Sequence, residues 1–277
     1  MTRLSALAAA FVVAYALLVA PPAVAECRSA AGQLDCDLQQ RVATADAYLA
    51  GRPGAVGYVL RDRGTGAVYR NAGAGTSIWS ASTIKLAIAV DLLVRNRSGT
   101  IKLTPQDQKL MQAMIHASDN DATDSLWSKF GGSDHQSFNR NFPAYGMTDL
   151  MPQRGFSDVF PYWGFQKTTA NDLDRLMNYT LARMTPLESA AMINEMQHVD
   201  PDQQWGVWGA GAPMTPGNKN GWSQEQGGWV INSVGFAGPG QRYTLAVMNS
   251  LGGAGGYDDG VATTTHLAQV LLAGRPR

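Results

Sequence analysis

The sequence predicts an α/β (α+β) fold: one antiparallel sheet built from both chain ends, flanking helices, and an all-helical lobe inserted between the two halves of the sheet. Three observations predict it. β-rich runs with turn signals occur at residues 56–70 and return at 204–257. The stretch between them reads as successive helices. Within that stretch Ile84 to Val94 is apolar on nearly every face apart from Lys85 and Asp91, the pattern of a helix buried all round. The expected sheet lobe is about 37–80 and 204–277, and the helical lobe about 81–203.

The chain has 277 residues, 45% hydrophobic and 16% charged, enough for a large core. Its 22 basic and 22 acidic residues balance, so no surplus of charge draws it to nucleic acid or anionic lipid. Residues 1–25 read as a signal peptide: Arg3, an apolar run from Ala6 to Ala20, Pro21-Pro22, and Ala23-Val24-Ala25 as the cleavage site. That run, roughly 15 residues, falls short of the ~20 that a spanning helix needs. The expected location is therefore secreted, periplasmic or cell-envelope, with no membrane span after cleavage. Cys27 follows Glu26 rather than the small residue that a lipid-anchoring site wants. The two cysteines of the chain, Cys27 and Cys36, read as a terminal disulfide worth at most about 3 kcal/mol. Neither a histidine nor a third cysteine stands close enough in sequence to suggest a metal pair.

The elements follow in order. Leu38, Val42, Ala45 and Leu49 recur at helical spacing from Asp37 to Leu49, and Gly51-Arg52-Pro53-Gly54 stops that helix. Residues 56–60 and 67–70 form a hairpin across Gly64-Thr65-Gly66, and Thr76 to Trp79 reads as a further short strand. A buried helix starts after Ser82. Residues 104–117 make another, with Thr104 as N-cap and Pro105 at the first position. Helices are expected at 121–130, 170–183 and 186–197, with a loop rich in Gly, Pro and aromatics over 131–168. Residues 229–236 and 242–248 flank Gly238-Pro239-Gly240, a strong hairpin signal. Residues 259–273 close the chain as an amphipathic helix.

Three motifs carry chemistry. In Ser82-Thr83-Ile84-Lys85 the hydroxyl lies at a helix N-terminus, where free N–H groups favour negative charge, and the lysine follows one turn later over the same face. A buried lysine near another cation can lose its proton and act as base. An N-capping serine and a snorkelling lysine would account for that motif by itself. Ser118-Asp119-Asn120 lies at a predicted helix end and would by itself be an ordinary cap. Lys219-Asn220-Gly221 enters a predicted strand and would by itself be an ordinary turn.

Taken together and in this order, S-x-x-K, S-D-N and K-x-G resemble the signature of class A β-lactamases and penicillin-binding proteins. The resemblance runs from about residue 37 to the C-terminus and includes Thr168-Thr169-Ala170, which opens a helix after a long loop. It implies that Ser82 attacks a carbonyl and becomes acylated, that Lys85 takes or relays its proton, and that Ser118 passes a proton to the leaving nitrogen. It further implies substrate binding by Asn120, Lys219, Asn220, Gly221 and Trp222. Asn120 would hold the substrate's amide side chain and steady Lys85. Lys219 would supply positive potential for a substrate carboxylate and help keep Lys85 neutral. The amides of Ser82 and Trp222 would cradle the oxyanion, each worth of order 3 kcal/mol in the transition state.

Two departures stand out. Asn220 replaces the family's usual Thr or Ser with an amide that can still donate to a carboxylate but has a different shape. The class A enzymes also carry a Glu after S-D-N that activates the deacylating water. Here the four Glu are 26, 188, 195 and 225, and the candidate loop, about 149–167, offers only Asp149 and Asp158. A misplaced base costs roughly 100-fold per ångström, so slow deacylation is expected.

Histidines 116, 135, 198 and 266 show no metal spacing, and no G-x-S-x-G elbow occurs. No metal and no cofactor are expected. The expected partner is a small-molecule or peptidoglycan-like substrate and the expected state a monomer. Three functions compete: a weak β-lactamase, a D,D-peptidase or other amide hydrolase, and a module that binds or acylates without turnover.

Overall fold

The structure is a computed structural model that describes Cys27, Ala30 and residues 32–225 and 227–275. The expected signal peptide lies outside the described residues. Cys27 and Cys36 are joined in a disulfide.

Helix α1 (Cys36–Leu49) is capped by the Asp35 carboxylate, which accepts from the Leu38 amide. Strands β1 (Ala55–Asp62) and β2 (Ala67–Arg70) form the expected hairpin. After β3 (Ile78–Trp79) comes a 3-10 turn, Ala81–Thr83, and then α2 (Ile84–Arg97). Every residue of α2 from Ile84 to Leu92 is buried, Lys85 and Asp91 included, as the all-round apolar pattern requires.

Helix α3 (Pro105–His116) begins with a capping box between Thr104 and Asp107. Helix α4 (Asn120–Phe130) is capped by Asp119 through the amide of Ala122. The loop expected over 131–168 holds more structure than its composition suggests. It contains α5 (Ser137–Asn141), β4 (Met151–Pro152) and β5 (Gln166–Thr168). β5 pairs with both β3 and β4 in a small antiparallel sheet, so the inserted lobe carries strands beside its helices. These strands are two or three residues long, too short to show any periodicity. Helices α6 (Ala170–Ala182) and α7 (Pro186–Gln197) follow, capped by Thr169 and Thr185.

Strands β6 (Gly217–Glu225), β7 (Gly228–Ala237) and β8 (Tyr243–Ser250) complete the main sheet, and α8 (Tyr257–Leu272) closes the chain. The sheet is antiparallel, ordered β2-β1-β8-β7-β6, so β1 from one chain end pairs along its length with β8 from the other. α1 and α8 cover one face over a core that includes Leu38, Leu60, Leu245 and Leu267. α6 and the helical lobe cover the other, with Ile84, Ile88, Phe138 and Leu173 among the buried residues.

Residues 204–216, expected to be β-rich, instead form 3-10 turns at Gly206–Ala210 and Ala212–Met214. Close packing explains the first. A Cβ at Gly209 would come within 2.2 Å of the Thr265 carbonyl oxygen of α8, so the turn is pressed onto that helix.

Candidate active site

Ser82 stands in the 3-10 turn between β3 and α2, half-buried, after Ala81 in the left-handed region at φ 43°. The turn is held from both sides. On one, β5 pairs with β3, and the Ser80 amide donates to the Gln166 carbonyl. On the other, the Asn232 side-chain amide in β7 donates to the carbonyls of Trp79 (2.8 Å) and Ser80 (3.3 Å). The edge strand β6 then runs directly against the turn. A Cβ at Gly221 would lie 2.7 Å from the Ser82 amide nitrogen and 2.6 Å from that of Thr83, so only glycine permits this approach. Ser82 and Trp222 consequently line the same cleft, a space of about 180 Å³ also bordered by Asn120, Tyr162, Trp163 and Phe165.

Lys85 is fully buried one turn behind Ser82. Its Nζ donates to the Ser118 carbonyl (2.6 Å), the Asn120 Oδ1 (2.7 Å) and, at 3.4 Å, the Ser118 Oγ. Ser118 occupies the joint between α3 and α4 at φ 57°, and this left-handed turn aims both its carbonyl and its hydroxyl at the lysines. Lys219 reaches the same hydroxyl from β6 at 2.9 Å, and its second contact is the Asn220 carbonyl at 2.9 Å. Ser118 Oγ thus bridges two buried lysines.

The electrostatics follow from this burial. Desolvation pushes the Lys85 ammonium down to about 7, against the pull of Asp119 and Asp124 in the other direction. Burial, and then repulsion from Lys85, hold Lys219 well below the usual lysine range. At neutral pH Lys85 can therefore accept a proton. Its Nζ lies 4.6 Å from the centre of the Trp163 ring, whose own Nε1 donates to Asp124 Oδ1 at 2.6 Å.

The structure brings Ser82, Lys85, Ser118, Asn120, Lys219, Gly221 and Trp222 together around the cleft. Asn220 does not face the cleft. Its side chain is buried, its Nδ2 donates to the carbonyls of Gln203 (2.8 Å) and Trp205 (3.3 Å), and its Oδ1 accepts from Asn218 at 2.9 Å. That amide is fully engaged inside the protein, which leaves nothing for a substrate carboxylate.

The two candidate replacements for the missing Glu also lie elsewhere. Asp149 pairs with Arg175 at 3.0 Å, and Asp158 is exposed and does not line the cleft. Glu188 caps α7 and pairs with Arg97, while Glu195 pairs with His116. Among the described residues, none that lines the cleft is acidic. Sequence reasoning missed Asp124 and Asn232. Asp124 alone left a signal, because it follows Asn120 by four residues and so shares its helix face.

No family model matches the chain. A protein of Mycobacterium tuberculosis, named as a candidate lipoprotein, LppW, is 30% identical over 239 residues, which span 83% of this chain and 72% of the relative. The chain belongs to the LppW family. The LppW protein of Mycobacterium bovis matches to the same extent. Among solved structures, a β-lactamase from Xanthomonas campestris superposes with a TM-score of 0.70 at 19% identity, covering 85% of this chain and 97% of that one. The structure of PBP-A superposes at 0.68 and 19% identity, covering 86% and 95%. This LppW-family chain therefore has the fold shared by class A β-lactamases and PBP-A. Among the described residues no helix is long and apolar enough to cross a membrane.

Proposed function

We propose that this protein is an exported serine acyl-enzyme of the cell envelope. Ser82 attacks the carbonyl of a β-lactam or a related amide, and the resulting ester is hydrolysed slowly. The observation that carries this reading is the Lys85–Ser118–Lys219 relay behind Ser82, with Lys85 near neutrality. In the proposed reaction the Ser82 Oγ–carbon bond forms as the Ser82 proton passes to Lys85. The amide C–N bond then breaks, and Ser118 hands a proton to the leaving nitrogen. The amides of Ser82 and Trp222 hold the oxyanion.

Slow hydrolysis rests on the cleft wall. Tyr162, Trp163 and Phe165 border the space beside Ser82, with no carboxylate among the described residues lining it to activate a water. With Asn220 engaged elsewhere and Lys219 buried, recognition of a substrate carboxylate is weak, which favours ligands bound through their acyl side. Export fits the name of the mycobacterial relative. The disulfide occupies Cys27, so that thiol is not free to carry a lipid.

A fluorescent penicillin tests the reading. Wild type is expected to become covalently labelled and Ser82→Ala to stay unlabelled. Equal labelling of the two would overturn it.

A further inference from the structure

The Ser82 cleft does not end at its aromatic wall. Tyr162 and Phe156 also border a second cavity of about 340 Å³, lined further by Asp124, Trp127 and His135. That volume lies within the range of small-ligand sites. Phe156 is the most exposed of the large apolar residues, 86% accessible, and stands edge-on to Phe165 between the two spaces.

The chemistry of the second cavity is specific. Asp124 is exposed and forms no salt bridge among the described residues. Its Oδ1 is occupied by the Tyr162 hydroxyl and the Trp163 indole, both at 2.6 Å, which fixes the carboxylate in place. Three aromatic side chains, Trp127, Phe156 and Tyr162, line the cavity with it, and so does His135. A carboxylate in a cavity lined by aromatic rings suits an organic ammonium group.

We infer that this cavity is a subsite for a primary ammonium group carried on the acyl side of the substrate. Asn120 precedes Asp124 by one turn of α4 and lines the Ser82 cleft, where the resemblance implies that it holds the substrate's amide side chain, so placing the ammonium on the acyl side rests on that role and on the proposed function.

The test separates the two. Benzylammonium and benzyl alcohol are titrated into the Ser82→Ala variant and followed by chemical shifts. Benzylammonium is expected to bind tighter by on the order of tenfold. The shifts should centre on Trp127, Tyr162 and His135. Asp124→Asn keeps an acceptor for Tyr162 and Trp163, yet it should reduce benzylammonium to the affinity of the alcohol. Phe156→Ala, an exposed change, should weaken both ligands. Equal affinities, no binding, or shifts elsewhere would overturn the subsite. On wild type, a penicillin with an aminomethyl-phenylacetyl side chain should label Ser82 faster than its phenylacetyl counterpart. Equal labelling would overturn the acyl-side assignment. If neither penicillin labels Ser82, the proposed function fails, and the titration still decides the subsite.

Discussion

Lys85 has its ammonium in contact with Ser118 and Asn120 and its neutral form made accessible by burial. In the proposed reaction only the neutral amine can take the Ser82 proton. The acylation rate should therefore rise with pH through about 7 and level off above it, as read from labelling rates across a pH series. The same depression affects stability. The folded value lies below the ordinary 10.5, so the unfolded chain binds more protons between them, and this lysine's contribution to stability should grow as pH rises from about 7. Ser118 separates backbone from hydroxyl. Both Ser118→Gly and Ser118→Ala should slow labelling by about 100-fold. Alanine at φ 57° should additionally cost about 1 kcal/mol relative to glycine in chemical denaturation. Asn220→Ala should lower stability by about 1–3 kcal/mol, because it strips donors from the buried Gln203 and Trp205 carbonyls. A change confined to substrate affinity would instead mean that Asn220 turns toward the ligand.

At the scale of elements, the site is the meeting of one turn with one edge strand. Gly221→Ala forces β6 away from the amides of Ser82 and Thr83, and a displacement near 1 Å should cost about 100-fold in labelling rate. Asn232→Ala should act in the same direction by freeing the Trp79 and Ser80 carbonyls. The helices were legible because their caps and periodicity are local. Thr104, Asp119, Thr169 and Thr185 each cap the helix that the pattern marks. The motif residues were legible because the chemistry restricts residue type at short spacing. Asn232 was not, because its role comes from packing across many residues of chain and an Asn has many ordinary uses. Asn220 shows the converse. Its position in the motif was plain, but the carbonyls that occupy its amide are those of Gln203 and Trp205, just before the 3-10 turn that stands where the sequence reads as β-rich.

The whole molecule is tied together where its two chain ends meet. Arg275 donates to Asp35 and Asp37 in and before α1 and to the Tyr243 hydroxyl of β8, beside the Cys27–Cys36 disulfide. Reduction of that disulfide should cost at most about 3 kcal/mol and leave labelling of Ser82 intact, because the staple lies before and at the start of α1 rather than in the elements that line the cleft. Arg275 holds Asp35 below the usual carboxylate range, and Arg242 does the same for Asp62. Their stabilisation is complete above the ordinary carboxylate range and is lost as pH falls through the depressed values, so unfolding should set in at acid pH, where circular dichroism can follow it. The proposed site has a nucleophile with a relay behind it and, among the described residues, no acid in front of it. Intact-protein mass spectrometry over time, with excess penicillin, tests that claim directly on wild type and Ser82→Ala. The expected result is an adduct of one penicillin mass on the wild type alone, persisting long after free drug is removed. Consumption of the drug with no adduct would contradict the account, because it would require rapid deacylation at a site whose lining offers no carboxylate base among the described residues.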